Sequence, residues 1–299
     1  MYRATNTRIV VPEFDYQRPE TLAGVFSLLA EHGDQARVIA GGTDLIVQLK
    51  LERLSPACLI SLGGVSELDG ITTDGGLSIG SMTSILTLSK SALVGRRYGA
   101  LIEACEAFST VPIMIMGTVG GNLCNASPAA DTAPALLAFD ASVDLATAAG
   151  GRNVSLQDFF RGPGKTALGA GEILQSVRLP EPPPGAGSAF LKVSRVVADI
   201  SQVCAAVMVV REGKKIAGCR IALGSVAPTP LRVPRAEENL IGRNGDLDAF
   251  EKAARIAAED ISPITDVRAT EGYRRHVAAV IVRDALSTAW QRAQEAKGK

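Results

Sequence analysis

The 299-residue chain carries no surplus of charge, because 31 lysines and arginines balance 31 aspartates and glutamates. Proteins that bind nucleic acid usually show a basic excess, so this balance argues against a nucleic-acid partner. The sequence also has no run close to the roughly 20 apolar residues that a membrane helix needs. Residues 1–20 contain no apolar core of signal-peptide length, so the sequence predicts a cytoplasmic protein without a membrane span.

Residues that bind metals or act as nucleophiles are few. The cysteines are widely spaced and form no CxxC pair, which fits neither a zinc site nor a disulfide framework and predicts reduced thiols. They are Cys58, Cys105, Cys124, Cys204 and Cys219. His32 and His276 lie in separate predicted helices, so no metal cluster or histidine-based triad is indicated. Because GxSxG and HExxH are also absent, any reactive centre in this chain requires a bound organic cofactor.

Two glycine-containing segments are the clearest candidates for a ligand site: "AGGTD" at 40–44 and "GTVGGN" at 117–122. We interpret both as glycine turns, since glycine permits positive φ and lets successive backbone N–H groups approach a phosphate. Neither matches the dinucleotide fingerprint GxGxxG or the P-loop ending GK[ST]. Together they could bind the two phosphates of one dinucleotide. The residues alone also fit plain tight turns in which threonine and aspartate side chains only cap helices.

Helices and strands alternate before residue 180. Apolar spacing predicts a helix that starts at Thr21 and stops at Gly33, and another over 99–108 that Pro112 ends. Asp131 marks the start of a further helix. Strands or hairpins are predicted at 37–40, 57–62, 71–81 (turn at Asp74 to Gly76), 142–156 and 172–179.

A proline-rich stretch divides the chain. "PEPPPGAG" at 180–187 holds four prolines and two glycines, which is too stiff and too poor in donors for a packed element. We therefore predict one domain over 1–179, made of two subdomains at about 1–60 and 61–179, and a second domain over 188–299.

The second domain shows strands first and helices after them. The alternating runs "QVCAAVMVV" and "AGCRIALGSV", joined through "REGKK", predict an antiparallel hairpin. Helices are expected near 247–260 and 270–297. The predicted fold class is therefore α+β.

Four stretches resemble one protein family: "VIAGGTDL" at 38–45, "TVGGNLCNASPAADTAPALLA" from 118, "FLKVSRVVADISQV" from 190 and "ITDVRATEGYRRHVAAVIVRDAL" from 264. Together they are similar to the FAD-binding medium subunit of the xanthine dehydrogenase and aerobic carbon monoxide dehydrogenase family, the molybdenum hydroxylases. The resemblance spans nearly the whole chain. It implies a two-part FAD-binding domain of the vanillyl-alcohol-oxidase (PCMH) type, plus a C-terminal α+β domain with an antiparallel sheet and helices.

The resemblance also implies which residues contact FAD. The amides of Gly41, Gly42 and Thr43 are expected nearest the pyrophosphate, so a side chain at Gly41 or Gly120 should occupy space that the phosphates need. The flavin itself would supply the chemistry, with no catalytic side chain and no metal ligand in this chain. The implied cofactor-binding residues are Arg37, Val38, Ile39, Ala40, Gly41, Gly42, Thr43, Asp44, Phe108, Thr118, Val119, Gly120, Gly121, Asn122, Asp131, Leu174 and Lys192.

Four members of this set lie outside the two glycine segments. Phe108 corresponds to an aromatic residue near the cofactor, and Leu174 to an apolar residue near the flavin ring. Asp131 corresponds to a polar contact at a helix start, and Lys192 to a lysine that reaches the flavin. Phe108 and Leu174 fit an ordinary core equally well, and Lys192 fits a solvated face.

The family further implies partners. FAD belongs to this chain, whereas the [2Fe-2S] clusters belong to a small partner subunit and the molybdopterin cofactor to a large one. FAD would collect electrons from the clusters and pass them to an external acceptor, in a dimer of heterotrimers. The substrate and the acceptor are not determined by this chain, since the substrate site lies in the molybdenum subunit.

Two alternatives remain open at this point. One is a self-sufficient FAD-dependent reductase or oxidase of the same fold, for which steady turnover by the isolated chain would be the distinguishing observation. The other is an assembly module that has lost the flavin, for which failure to take up FAD would be decisive.

Overall fold

The computed structural model describes residues 12–73, 75–95 and 97–295. Its first elements are β1 (Asp15–Gln17), α1 (Leu22–His32), β2 (Ala36–Ile39), α2 (Leu45–Lys50) and β3 (Cys58–Ser61). The strands form a parallel sheet in the order β1, β3, β2. Helix α1 begins and ends as predicted, because the Thr21 side chain accepts a hydrogen bond from the Gly24 amide and Gly33 ends the helix with a φ of 50°.

Short 3₁₀ helices follow α1 and β3. They cover Gly33–Gln35, Leu62–Gly64 and Ser66–Leu68.

A second, antiparallel sheet follows. Its strands are β4 (Ile71–Thr73), β5 (Gly76–Gly80), β6 (Ser142–Thr147), β7 (Gly150–Ser155) and β10 (Ile173–Pro180). Their order across the sheet is β4, β5, β10, β6, β7. Between β7 and β10 lie α9 (Leu156–Phe159), β8 (Phe160–Gly162) and β9 (Lys165–Thr166). The predicted strand pairs are confirmed, although Asp74 in the first predicted turn lies outside the described residues.

A run of short helices connects β5 to β6. These are α3 (Ile85–Lys90), α4 (Ala92–Gly95), α5 (Gly99–Glu106), α6 (Val111–Met116), α7 (Val119–Asn125) and α8 (Thr132–Ala138). Two predictions here are wrong. Pro112 lies in the first turn of α6, where the missing amide hydrogen has no cost, so it begins a helix instead of ending one.

The second wrong prediction is the turn at 117–122. Thr118 is the N-cap of α7, and Gly120 and Gly121 lie inside that helix. The Thr118 side chain accepts a hydrogen bond from the Gly121 amide, which helps to offset the poor helix propensity of the two glycines.

The C-terminal part packs helices on one face of an antiparallel sheet. Its elements are β11 (Ala186–Val193), β12 (Val203–Glu212), β13 (Lys215–Gly224), β14 (Leu231–Arg232), α10 (Pro234–Leu240), α11 (Leu247–Glu259) and α12 (Glu271–Glu295). The strands lie in chain order across the sheet. The β12–β13 hairpin and the helices α11 and α12 were predicted, although residues 296 and 297 of the last prediction lie outside the described residues.

The β11–β14 sheet contributes to two hydrophobic cores. Val207 and Ile221 face a core shared with the C-terminal helices. Ala206 and Met208, which flank Val207 on β12 and face the opposite side of the sheet, join Leu101 in the core of the preceding part. Within the described residues, none of the helices combines the length and apolar composition needed to cross a membrane.

Candidate functional site

A cleft of about 450 Å³ lies between the loop after β2, the start of α7 and the segment that leads into β10. It brings together most of the residues predicted from the sequence. Those that line it are Arg37, Val38, Ile39, Ala40, Gly41, Gly42, Thr43, Asp44, Phe108, Thr118, Gly120, Gly121, Asn122 and Leu174. The lining does not include Val119, Asp131 or Lys192.

Close backbone packing explains why glycine is needed in both segments. A Cβ atom on Gly41 would overlap the carbonyl oxygen of Met116, just before Gly117 and α7. A Cβ atom on Gly120 would lie 2.6 Å from the Cβ of Ser81. A side chain at either position would therefore collide with protein, which corrects the expectation that it would occupy phosphate space. Because both glycines lack a side chain, the segments that form the walls of the cleft can pack closely against each other.

The first glycine segment offers unpaired amides. Gly42 has a φ of 72°, a left-handed conformation that favours glycine. Among the residues that the structure describes, no protein oxygen accepts a hydrogen bond from the amides of Gly41, Gly42 or Thr43. Three successive amides that line a cleft without a protein acceptor are the arrangement expected of an anion site.

The second glycine segment, at 117–122, differs from the first because its amides are paired within the protein. The amides of Val119, Gly120, Gly121 and Asn122 all donate to oxygens of the chain itself, at 2.9 to 3.1 Å. Its backbone is therefore already satisfied, and side-chain donors are what it can offer a ligand. The Asn122 Oδ1 atom accepts a hydrogen bond from the Thr132 hydroxyl at 2.6 Å, which leaves the Asn122 amide nitrogen as a donor.

Apolar side chains complete the cleft. Phe108 and Leu174 both line it, together with Met82, Leu168 and Ile173. Leu174 is only 3% exposed and belongs to the main core as well, so it serves packing and the cleft at once. A cleft that combines apolar walls with a few fixed polar donors suits a large planar ligand that carries phosphates.

Two predicted residues form a buried ion pair outside the cleft lining. The Lys192 Nζ atom lies 2.7 Å from Asp131 Oδ2 and donates to the carbonyl of Ala107 at 2.8 Å. Burial raises the pKa of Asp131 to about 7, although the Lys192 ammonium opposes that shift. The other carboxylate oxygen of Asp131 is buried and has no hydrogen-bond partner among the described residues.

Sequence reasoning missed Glu172, which lines the cleft. The Arg152 guanidinium binds it with two hydrogen bonds of 2.7 and 2.8 Å, and the Gly169 amide donates to it at 2.6 Å. The bond from Arg152 holds the pKa of the Glu172 carboxyl down at about 2. These bonds fix the loop that carries Leu168, just before β10, against β7.

Ser81 was also missed. It lines the cleft directly after β5, and its buried hydroxyl has no partner among the described residues. A small polar residue at the end of a strand was the only indication in the sequence. An unpaired hydroxyl in the wall of the cleft is consistent with a ligand that supplies the missing partner.

The α+β fold and two matched family models define a flavoprotein with an FAD-binding domain and a C-terminal domain. The chain matches the family model described as "FAD binding domain in molybdopterin dehydrogenase" over residues 12–182. It matches "CO dehydrogenase flavoprotein C-terminal domain" over residues 188–289. The chain therefore belongs to the FAD-binding medium subunits of the molybdenum hydroxylases, and its relatives are subunits of oxidoreductases.

Named relatives support this assignment over almost the full length. The carbon monoxide dehydrogenase medium chain of Afipia carboxidovorans is 34% identical, with 94% of this chain and 98% of the relative covered. A putative xanthine dehydrogenase FAD-binding subunit of Escherichia coli K12 is 33% identical, over 92% and 95% of the two chains. The solved carbon monoxide dehydrogenase of Hydrogenophaga pseudoflava superposes with a TM-score of 0.92 at 32% identity, covering 95% and 99%.

Proposed function

We propose that this chain is the flavoprotein subunit of a three-component molybdenum hydroxylase. FAD held in the cleft would supply the redox chemistry, accepting electrons from the [2Fe-2S] clusters of a small partner subunit and passing them to an external acceptor. A large partner subunit with the molybdopterin cofactor oxidises the substrate. The observation that carries the proposal is the row of unpaired amides at Gly41, Gly42 and Thr43 in the cleft of a chain that belongs to this family.

The residues present fit FAD. The three amides would bind the pyrophosphate, and the Thr118 hydroxyl and the Asn122 amide nitrogen would add side-chain donors. Phe108 and Leu174 offer apolar surface to the flavin ring. The buried and unpaired oxygens of Ser81 and Asp131 are further candidates for polar contacts. In this role the protein binds and orients the cofactor and excludes water, and it needs no catalytic side chain of its own.

We also propose that the predicted domain limits, 1–179 and 188–299 with a linker at 180–187, describe two functional units. The two matched family models support this, since one ends at residue 182 and the other begins at residue 188. Strand β10 ends at Pro180 and β11 begins at Ala186, so the connection covers only residues 181–185 and the predicted linker overlaps both strands.

The test is reconstitution of the purified full chain with FAD, followed by dialysis and an absorption spectrum. We expect one bound FAD per chain, and we expect Gly120→Ala to weaken binding at least about tenfold because the new Cβ collides with Ser81. Gly99→Ala is the matched control, since a Cβ there would meet only the Ser188 hydroxyl at 3.6 Å and should leave affinity unchanged.

Two results would contradict the proposal. A chain that takes up no FAD would favour the flavin-free assembly module. Steady substrate turnover by the isolated flavin-loaded chain would favour a self-sufficient flavoenzyme. Co-purification from a host extract with an iron–sulfur subunit and a molybdenum subunit is the result that we expect, and the molybdenum subunit would then identify the substrate.

A further inference from the structure

We propose that the hydroxyl of Ser81 donates a hydrogen bond to the polar chain of FAD, which consists of the ribityl and pyrophosphate groups that join the flavin ring to the adenosine. The inference rests on the proposed function and deepens it, because it names a donor on the side of the cleft where the backbone amides are already used. Neither glycine segment includes this residue, and the family resemblance does not imply it.

The backbone of Ser81 is fixed between two walls of the cleft. Its amide donates to the carbonyl of Gln175 on β10 at 3.0 Å, and its own carbonyl accepts a hydrogen bond from the Gly120 amide at 2.9 Å. Gln175 directly follows Leu174, which belongs to the apolar lining, and Gly120 lies at the start of α7. Ser81 therefore lies between the surface suited to a flavin ring and the segment suited to its phosphates.

The hydroxyl of Ser81 differs from those of its neighbours in having no protein partner. Thr83 donates to the carbonyl of Gly70 at 3.0 Å, and the Ser84 hydroxyl accepts a hydrogen bond from the Thr87 amide at 3.0 Å. Ser81 is only 3% exposed, and its hydroxyl oxygen is buried with no partner among the described residues. A buried polar group without a partner is costly, so a ligand that supplies one gains affinity from it.

The chemistry of this wall favours an uncharged donor. Residues 107–130, which include the second glycine segment, contain no charged side chain, and the amides of 119–122 are paired within the protein. A serine hydroxyl has three staggered positions about a single bond, so it can turn to a ligand in the cleft while its backbone stays fixed. Ribityl hydroxyls and phosphate oxygens both accept from such a donor, whereas the apolar edge of a flavin ring does not.

The test is Ser81→Ala in the full chain, with the dissociation constant of FAD measured by flavin fluorescence. We expect this variant to weaken FAD binding about fivefold, because one hydrogen bond to the cofactor is lost. In the FAD-free chain the same change should raise the melting temperature by about 2 °C, because it removes a buried hydroxyl that has no partner. A merely structural role of the hydroxyl would lower the melting temperature instead.

Ser188→Ala is the matched control. Ser188 is also buried, but its hydroxyl oxygen accepts a hydrogen bond from the Ala100 amide at 3.1 Å, and it does not line the cleft. This variant should lower the melting temperature of the FAD-free chain and change the FAD constant by less than about twofold. The two serines should therefore respond in opposite ways in both measurements.

Riboflavin locates the contact within the cofactor, since it carries the ribityl chain but no phosphate. Equal losses for riboflavin and FAD in Ser81→Ala would place the hydrogen bond at the ribityl chain. A loss for FAD alone would place it at the pyrophosphate. Both results support the inference.

An unchanged FAD constant in Ser81→Ala would overturn the inference, as would a lower melting temperature of the FAD-free variant. Either result would leave the proposed function intact as long as the wild-type chain binds FAD. A wild-type chain that takes up no FAD would overturn both.

Discussion

Single residues around the cleft are held by partners from distant parts of the chain. Arg152 on β7 fixes Glu172, and Lys192 on β11 fixes Asp131. A comparable role falls to Arg274 in α12, which is buried and donates to the carbonyls of Gln202 and Ser225 and to Asp266. These bonds hold α12 to the loops that carry Gln202, Ser225 and Asp266. At the scale of single residues, buried or shielded charges fix the positions of the side chains with which they pair.

The lowered pKa of Glu172 predicts how the stability of the fold depends on pH. Its pKa is lowered from 4.5 to about 2 in the folded chain, so the ionised carboxylate stabilises the fold above about pH 4.5, and this contribution is lost as pH falls toward 2. Glu172→Gln should therefore lower the melting temperature at about pH 5 more than at about pH 3. Glu106→Gln, at an exposed position, is the control and should change neither value. An equal decrease at both pH values for Glu172→Gln would show that its charge is not involved.

At the scale of single elements, helix α7 shows how the second glycine segment becomes ordered. A seven-residue helix with two glycines is intrinsically weak, so its N-cap matters more than usual. Thr118 supplies the cap at 3.0 Å and also lines the cleft. The helix that carries Asn122 into the cleft wall therefore depends on one hydroxyl.

Substitutions at Thr118 test this dependence. Thr118→Val keeps the shape of the side chain but removes the hydroxyl, so we expect it to lower the free energy of unfolding by about 1 kcal/mol. It should also weaken FAD binding, because a donor is lost from the cleft. Thr118→Ser keeps the hydroxyl and should restore most of both properties. Urea unfolding and FAD titration measure the two effects, and equal losses in both variants would mean that the cap is unimportant.

At the scale of the whole molecule, the two proposed domains share a hydrophobic core. Leu101 and Leu136 pack in one cluster with Phe190, Ala206 and Met208 from the C-terminal sheet. Polar bonds cross the same boundary. The Phe190 amide donates to Glu103 at 2.8 Å, the Ala100 amide donates to Ser188 at 3.1 Å, and Arg292 of α12 pairs with Glu103.

This shared core predicts a single cooperative unfolding transition for the full chain. Separating the two parts would expose apolar surface of both, so neither should melt while the other stays folded. Circular dichroism at increasing urea and the fluorescence of Trp290, which lies in α12, should give the same midpoint. Two resolved transitions would show that the parts are independent despite their contact.

The sequence by itself determined the local structure and the family. Apolar periodicity, caps and turn residues predicted α1, the hairpins, the helices α11 and α12 and the cleft position of Gly41 to Thr43, because these features depend on neighbours along the chain. The order of strands and helices also predicted the α+β class, and the resemblance to the family implied the flavin. Its local rules misplaced Pro112 and the segment at 117–122, since helix propensity alone did not reveal that Thr118 caps a helix there.

Only the tertiary structure decided how the site is built. The contact of Gly120 with Ser81, the bonds between Arg152 and Glu172, and the pairing of Lys192 with Asp131 all join residues far apart in sequence. No periodicity or spacing encodes such pairs, because they depend on which faces of different elements meet in the fold. The structure alone therefore separated the first segment, whose amides remain unpaired, from the second, whose amides the protein has already used.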